Sequence, residues 1–220
     1  MTDTNATFSV SAKPVKRSFY DRAGKRLLDI GVSCLSLPIV VPVVSLLWVL
    51  VRLDGGQGFF WHDRVGRNGR VFRCLKLRTM VPDADRQLQR VLETDQQAAS
   101  EWALNYKLQD DPRVTRLGRV LRHTSLDELP QIWNILRGEM SLVGPRPITA
   151  REMFFYDPDP SVYLRQMPGL TGLWQVEGRQ DARYDLRVRM DRYFDAHRSM
   201  AMDLGLILRT VVCVIRPTGR

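Results

Sequence analysis

The segment richest in chemistry-bearing residues runs from Arg122 to Pro147, RHTSLDELPQIWNILRGEMSLVGPRP. It holds two adjacent carboxylates, Asp127 and Glu128, flanked along the chain by Arg113, Arg116, Arg119, Arg122, Arg137 and Arg146. Two readings are open at this point. Ser125 with Glu128 fits a capping box, and Thr124 with Asp127 offers a second register, so the acids would cap a helix and complement its dipole. Alternatively, carboxylates at a helix N-terminus amid cations stay ionised, and one of them can act as a nucleophile. The same dipole and guanidinium groups would hold a diphosphate and stabilise charge developing on it. Attack on phosphorus asks mainly for positioning and for neutralised phosphate oxygens. Arg146 stands between Pro145 and Pro147, two rigid neighbours that leave it little freedom, and arginine suits bidentate phosphate contact.

Secondary-structure elements must position these groups. The turn-forming stretches DGGQG at 54–58 and GRNG at 66–69 bracket FFWHDRV and precede VFRCLKLRTM, and both runs suit short strands. From Asp83 to about Leu108 the chain lacks Gly and Pro, which predicts one helix ended by the DDP at 110–112. A second helix is expected over 126–137, stopped by Gly138, followed by a rigid non-helical corner at SLVGPRP. Further helical stretches are expected near 147–166, interrupted by DPDP at 157–160, and from Tyr184 to about Ile215, broken near Ser199. The final stretch, MAMDLGLILRTVVCVIR, is apolar nearly all round, with Arg209 and Arg216 as anchors. It suits either an interfacial membrane helix or a helix packed into the core.

Between Arg26 and Arg52 lies LLDIGVSCLSLPIVVPVVSLLWVLV, with Asp29 its only charge. A straight helix of that length reaches ~37 Å against a hydrocarbon core of roughly 30 Å. The run is too long and begins too late for a signal peptide, and no small-x-small site follows it. Pro38 and Pro42 each remove a donor and crowd the preceding turn, which predicts a bend or break near the middle. Ser33 and Ser36 are placed to satisfy freed carbonyls. Basic residues stand on both flanks, whereas a spanning helix usually has them on one. A re-entrant helical hairpin with both ends cytoplasmic and a kinked spanning helix are both open.

Composition narrows the partners. The 220 residues are 44% hydrophobic and carry a net charge of +9, which excludes a disordered tail and calls for an anionic partner. Cys34, Cys74 and Cys213 are odd in number and far apart, without disulfide or metal spacing, and His62, His123 and His197 are scattered. Nucleic acid is disfavoured because aromatic residues do not alternate with the basic ones as a base-stacking surface requires. A membrane-anchored basic binding module accounts for the charge and the apolar run, but not for an acid pair set among arginines. A hydrolase using the pair as general acid and base conflicts with a cationic setting that keeps both deprotonated.

LDELPQ with SLVGPRP, preceded by KRLLD and an apolar proline-broken helix, resembles the bacterial sugar transferases, the monotopic polyprenyl-phosphate phosphoglycosyl transferases. The resemblance includes LD at 53–54, RVGRNGRVFR at 64–73, KLRTM at 76–80, DPRVTRLGRVLR at 111–122 and PGLTGLWQVEGR at 168–179. It implies a mainly α fold with minor β: a mobile basic tail at 1–18, a re-entrant helix–break–helix at 19–53, and a compact cytosolic catalytic domain with interfacial helices at 54–220. The membrane bend falls at Pro42, with Pro38 an additional break. The family's dyad falls on Asp127 and Glu128, with Asp127 as nucleophile toward a UDP-sugar and undecaprenyl phosphate as acceptor. Mg2+ is the implied cofactor, with Asp127 as its protein contact. Lys76, Arg122 and Arg146, flanked by Pro145 and Pro147, match phosphate-binding positions, and Arg78 is a further candidate. Implied partners are the nucleotide sugar, the lipid phosphate and the bacterial inner membrane, with the catalytic domain on its cytoplasmic face. Oligomeric state is unread, and a homo-oligomer is compatible. Glucose or galactose is the expected sugar from the GLWQV segment. Val41 where the family usually has Ser, and Trp61-His62 in the first strand, depart from the pattern. The four N-terminal transmembrane helices of larger members are not found, so the chain resembles the minimal form.

Overall fold

The computed structural model describes residues 20–105, 108, 110–178 and 183–215, so the expected tail at 1–18, Arg179 and Arg216 lie outside the described residues. After a π-helical turn at Tyr20–Gly24, the apolar run forms helix α1, Lys25–Leu53. Of the bend or break expected at Pro38 and Pro42, the break is not found, because both prolines sit inside one uninterrupted helix. Each costs a backbone donor and strains the turn before it, but the rest of this long ladder carries the helix through. Ser36 Oγ donates to the Ser33 carbonyl at 2.7 Å, one carbonyl before the one that Pro38 deprives of its donor.

Helix α1 touches the rest of the protein at both ends. Near its start, Arg26 donates to the carbonyls of Ile135 and Leu136 at 2.5 and 2.8 Å. Asp29, 3% exposed, accepts from Ser141 Oγ and the Leu142 amide, both at 2.9 Å. At its far end Val51 packs with Leu77 and Leu121, with Leu47, Trp48 and Phe59 around them, and Arg78 donates to the Val51 carbonyl at 2.8 Å. Asp29 and Val51 lie about 33 Å apart along a straight helix. Between them Leu35, Ile39, Val41 and Leu46 stand exposed. The helix is long and apolar enough to cross a membrane, and this unpartnered stretch lies between its two clasped ends.

The turn-flanked runs pair as expected. β1 (Phe59–Val65) and β2 (Val71–Leu77) form an antiparallel hairpin in the register Phe59↔Leu77 to Val65↔Val71. The turn between them places Asn68 and Gly69 at φ 59° and 76°, the left-handed region that GRNG chemistry serves. The single helix expected from Asp83 to Leu108 is two, α2 (Ala84–Thr94) and α3 (Gln96–Asn105). Asp95 divides them: its Oδ1 accepts from the Gln97 and Ala98 amides at 2.9 and 3.0 Å, an N-cap that starts a new helix.

Helix α4 (Arg116–Thr124) leads into a 3₁₀ turn at Leu126–Gln131 and then α5 (Ile132–Arg137). The helix expected over 126–137 is therefore α-helical only in its second half, since Pro130 interrupts the donor ladder of the first. Gly138 stops it as anticipated, at φ 80°. β3 (Ser141–Val143) runs parallel to β4 (Gly169–Thr171), and between them lie a 3₁₀ turn (Arg151–Tyr156) and α6 (Ser161–Leu164), separated by the 157–160 turn. Helices α7 (Tyr184–His197) and α8 (Met200–Ile215) meet at the expected break. Leu206 of α8 joins Phe72, Ile135, Met140, Val143 and Phe194 in the largest buried cluster. Leu204, Leu208, Val211 and Val212 of the same helix face outward. α8 thus has one core face and one exposed apolar face. Its buried Asp203 accepts from Tyr20 and Lys25, both at 2.5 Å, tying it to the start of α1.

Removing the Asp29 carboxylate leaves the buried Leu142 amide without its acceptor, while Ser141 Oγ keeps the Val143 carbonyl at 3.0 Å. Asp29→Ala should destabilise the detergent-solubilised protein by about 2 kcal/mol in denaturant titrations. Asp29→Asn, which keeps one acceptor oxygen, should cost clearly less, and equal losses would show that the hydrogen bonds do not matter.

Candidate active site

Three backbone segments converge on the acid pair. β2 brings Lys76 opposite Phe60, the 3₁₀ turn after α4 presents Asp127 and Glu128, and the chain after β3 supplies Arg146. Neither capping reading is realised. Ser125 adopts φ 59° as the left-handed end of α4 and makes no side-chain capping bond, and Thr124 Oγ1 donates backward to the Val120 carbonyl at 2.8 Å. The acids thus stand in a tight turn just after a helix, with their carboxyls turned toward cations.

The two carboxylates have unequal surroundings. Glu128 Oε1 lies 2.7 Å from Lys76 Nζ and 3.6 Å from an Arg146 guanidinium nitrogen. Asp127 Oδ2 is 3.9 Å from Lys76, and among the described residues its carboxyl accepts no hydrogen bond. Lys76, Glu128 and Arg146 line a small open cavity that also includes Cys74, Gln131 and Gln175. Glu128 therefore holds the two cations, while Asp127, 7% exposed, keeps its lone pairs for something else.

The ionisation of Asp127 departs from the sequence expectation. Burial pushes its pKa up to about 6, with repulsion from Glu128 adding to that and Lys76, Arg122 and Arg146 pulling the other way. Desolvation outweighs the cations because none of them hydrogen-bonds the carboxylate. Cys74 in the same cavity is pushed up to about 11, also mainly by burial, and stays a neutral thiol at physiological pH.

The corner bearing Arg146 is fixed by close backbone packing. Gly144 donates to the Thr171 carbonyl at 2.9 Å and Gly169 to the Pro145 carbonyl at 2.8 Å. A Cβ on Gly144 would stand 2.2 Å from the Met167 carbonyl oxygen, so only glycine lets these strands approach so closely.

A model of the bacterial sugar transferase family matches residues 20–217. This chain belongs to that family. It is 47% identical over 195 residues to the exopolysaccharide production protein ExoY of Sinorhizobium fredii, covering 87% of this chain and 86% of that one. It is 44% identical to the UDP-galactose-lipid carrier transferase of Erwinia amylovora, over 89% of this chain but 41% of that protein, so it spans about two fifths of that relative. It is 36% identical to the UDP-glucose:undecaprenyl-phosphate glucose-1-phosphate transferase of Caulobacter vibrioides, over 85% of this chain and 68% of the relative.

Of the residues expected at the site of this sugar transferase, Lys76, Asp127, Glu128, Arg146 and Pro147 come together, and Pro145 accepts from the Gly169 amide through its carbonyl. Arg122 stands at the edge. Its Nε donates to Thr79 Oγ1 at 2.9 Å, and it acts on Asp127 through charge rather than contact. Arg78 is elsewhere, 9% exposed and turned to the Val51 carbonyl at the end of α1. Gln131, 2% exposed, and Gln175 were not anticipated, although both lie inside quoted motifs, LDELPQ and GLWQV. Among the described residues no cluster of three His, Cys, Asp or Glu could cage a metal ion. Two adjacent carboxylates do suit Mg2+, which commonly takes one or two carboxylates and completes its shell with substrate phosphates and water.

A raised folded-state pKa means that the proton on Asp127 stabilises the fold at low pH, and that this contribution is lost as pH rises from about 4 through about 6. Carboxyl-detected NMR of the metal-free protein should show Asp127 titrating near pH 6. A midpoint near 4 would mean that the neighbouring cations, not burial, set its charge.

Proposed function

We propose that this chain moves hexose-1-phosphate from a UDP-sugar to undecaprenyl phosphate by way of a covalent intermediate on Asp127. The observation that carries the reading is the unequal acid pair: Glu128 bound to Lys76 and Arg146, Asp127 buried beside it with its lone pairs uncommitted. An Asp127 oxygen attacks the phosphorus next to the sugar. The bond from that phosphorus to the bridging oxygen breaks and UMP leaves with the electron pair. A phosphate oxygen of undecaprenyl phosphate then attacks the same phosphorus, releasing the aspartate and forming the lipid diphosphate sugar. Lys76 and Arg146 offset charge on the donor diphosphate, Arg122 adds to the positive field at the site's edge, and Glu128 keeps the first two in place. Mg2+, held by Asp127, would supply further neutralisation of the diphosphate.

The names of the Erwinia and Caulobacter relatives support UDP-galactose or UDP-glucose as donor, and that of the Sinorhizobium relative supports a step in exopolysaccharide production. For the membrane segment we favour a re-entrant α1 in the inner membrane, bent at Pro42 and Pro38, with the catalytic domain on the cytoplasmic face. A helix that crossed would place the Asp29 and Val51 ends on opposite sides of the bilayer. One domain grips both ends, which supports entry and exit on the same side.

Incubating the membrane-embedded protein with UDP-sugar radiolabelled on the sugar-linked phosphate, without lipid acceptor, should leave up to one label per chain and release UMP. Asp127→Asn should abolish both, and Glu128→Gln should slow both steps. Release of product without any protein-bound label would point to direct transfer. For topology, cysteines introduced at Ala23 and Gln57 in a variant lacking Cys34, Cys74 and Cys213 should both be shielded from an impermeant maleimide in intact cells. Labelling of only one of them would establish a crossing.

A further inference from the structure

Arg187 on α7 is 5% exposed, too deep to meet a substrate, yet it is aimed at the corner that presents Arg146. One of its terminal nitrogens, Nη2, donates to the Arg146 carbonyl at 2.8 Å. The peptide unit that follows Arg146 ends on the nitrogen of Pro147 and has no N–H, so its carbonyl is the only polar handle by which that unit can be held. Binding this carbonyl sets ψ of Arg146 and with it the direction in which the side chain leaves the backbone. The Gly169–Pro145 hydrogen bond fixes the corner on its other side.

Arg187 is itself well located. Its guanidinium lies 5.3 Å from the Trp174 ring centre and 4.9 Å from that of Tyr184. Its Nη1 is 3.9 Å from Glu152 Oε1. Glu152 is anchored in turn through Oε2, which accepts from the Thr149 amide and hydroxyl at 2.7 and 2.9 Å and lies 3.9 Å from the cavity-lining Arg64. Asp191, one turn further along α7, is 3% exposed and accepts from Tyr156 at 2.5 Å, placing a second acid in the same layer. A buried guanidinium is costly unless paired and packed, and this one is supported by two rings and an acid while giving a hydrogen bond to the corner.

We propose that Arg187 is a positioning residue for the phosphate-binding Arg146, acting through the Arg146 carbonyl; this rests on the phosphate role of Arg146 given above. The prediction is tested by a double-mutant cycle on the full chain in membranes, with UDP-sugar and undecaprenyl phosphate. Arg187→Ala should raise KM for the nucleotide sugar and lower kcat/KM by up to about 100-fold, the scale expected when a binding group is misplaced by about 1 Å. In an Arg146→Ala background the same change should do little more, because the group it positions is already gone. Arg187→Lys, which keeps the charge and a donor, should recover part of the KM effect. If Arg187→Ala fails to accumulate, Arg187→Lys replaces it in the cycle, with a smaller KM effect but the same loss of effect in the Arg146→Ala background. Losses that multiply across the two sites, or a fall in Tm with KM unchanged, would overturn the positioning role and leave the proposed function standing. Wild-type kinetics for Arg146→Ala would remove the phosphate role itself, and this inference with it.

Discussion

The contact on which the site depends is the 2.7 Å pair between Lys76 and Glu128. It joins a strand of the first hairpin to a turn some fifty residues later, and in doing so it decides which acid is occupied and which is not. With Glu128 neutralising Lys76 and approached by Arg146, the cations are set in place before any phosphate arrives. Asp127 is then left in a poorly hydrated position where its charge is not fully compensated. A group preorganised in this way has little solvent to shed on meeting an electrophile, and the cost of arranging it has been met in folding. The two neighbours in sequence have become chemically different through their surroundings alone.

That contact holds because the segments bearing it cannot drift. Backbone packing between Gly144 and Gly169 fixes one wall, and the buried cluster of Phe72, Ile135, Met140 and Val143 fixes the floor on which β2 and α5 meet. Asn134, 1% exposed, adds a polar rivet between them: its side chain accepts from the Leu75 amide at 3.0 Å and donates to the Arg73 carbonyl at 2.8 Å. Helix α1 is coupled to the same strands through Asp29, which accepts from the Leu142 amide of β3, and through Val51 packed beside Leu77 of β2. The apolar helix and the candidate site are thus two sides of one packed unit.

Much of this was legible in the sequence where punctuation is strong. The GRNG turn, the stop at Gly138 and the break near Ser199 all follow from residue types with few conformational options. Arg146 stood out from its place between two prolines, the acid pair from the arginines around it, and Lys76 only through the family resemblance. Other features had weaker signals. Asp95 divides a helix-favouring stretch by a side-chain cap, which composition does not reveal. Two prolines failed to interrupt α1, since neighbouring hydrogen bonds can carry a long helix past a local defect. The upward pKa shift of Asp127 had no sequence signal, because burial, a tertiary quantity, outweighs the arginines visible nearby, although a group at about 6 still gives up its proton at neutral pH. Arg187 carried no signal, since its meaning lies in a carbonyl forty-one residues away. Arg78 sits two residues from Lys76 but faces the membrane helix instead of the cavity.

The clasp on α1 has a consequence for synthesis on the ribosome. Lys25 finds its partner at Asp203, 178 residues further along the chain. At roughly 5–20 residues per second, that partner emerges on the order of ten to thirty-five seconds after the helix itself. For the first part of that interval the apolar stretch of α1 stands without its clasp, because the Ser141 and Leu142 donors to Asp29 lie 112 and 113 residues further along the chain. An unpaired carboxylate is costly to place in hydrocarbon, so in a membrane that end of the helix would be held near the surface until the domain closes around it.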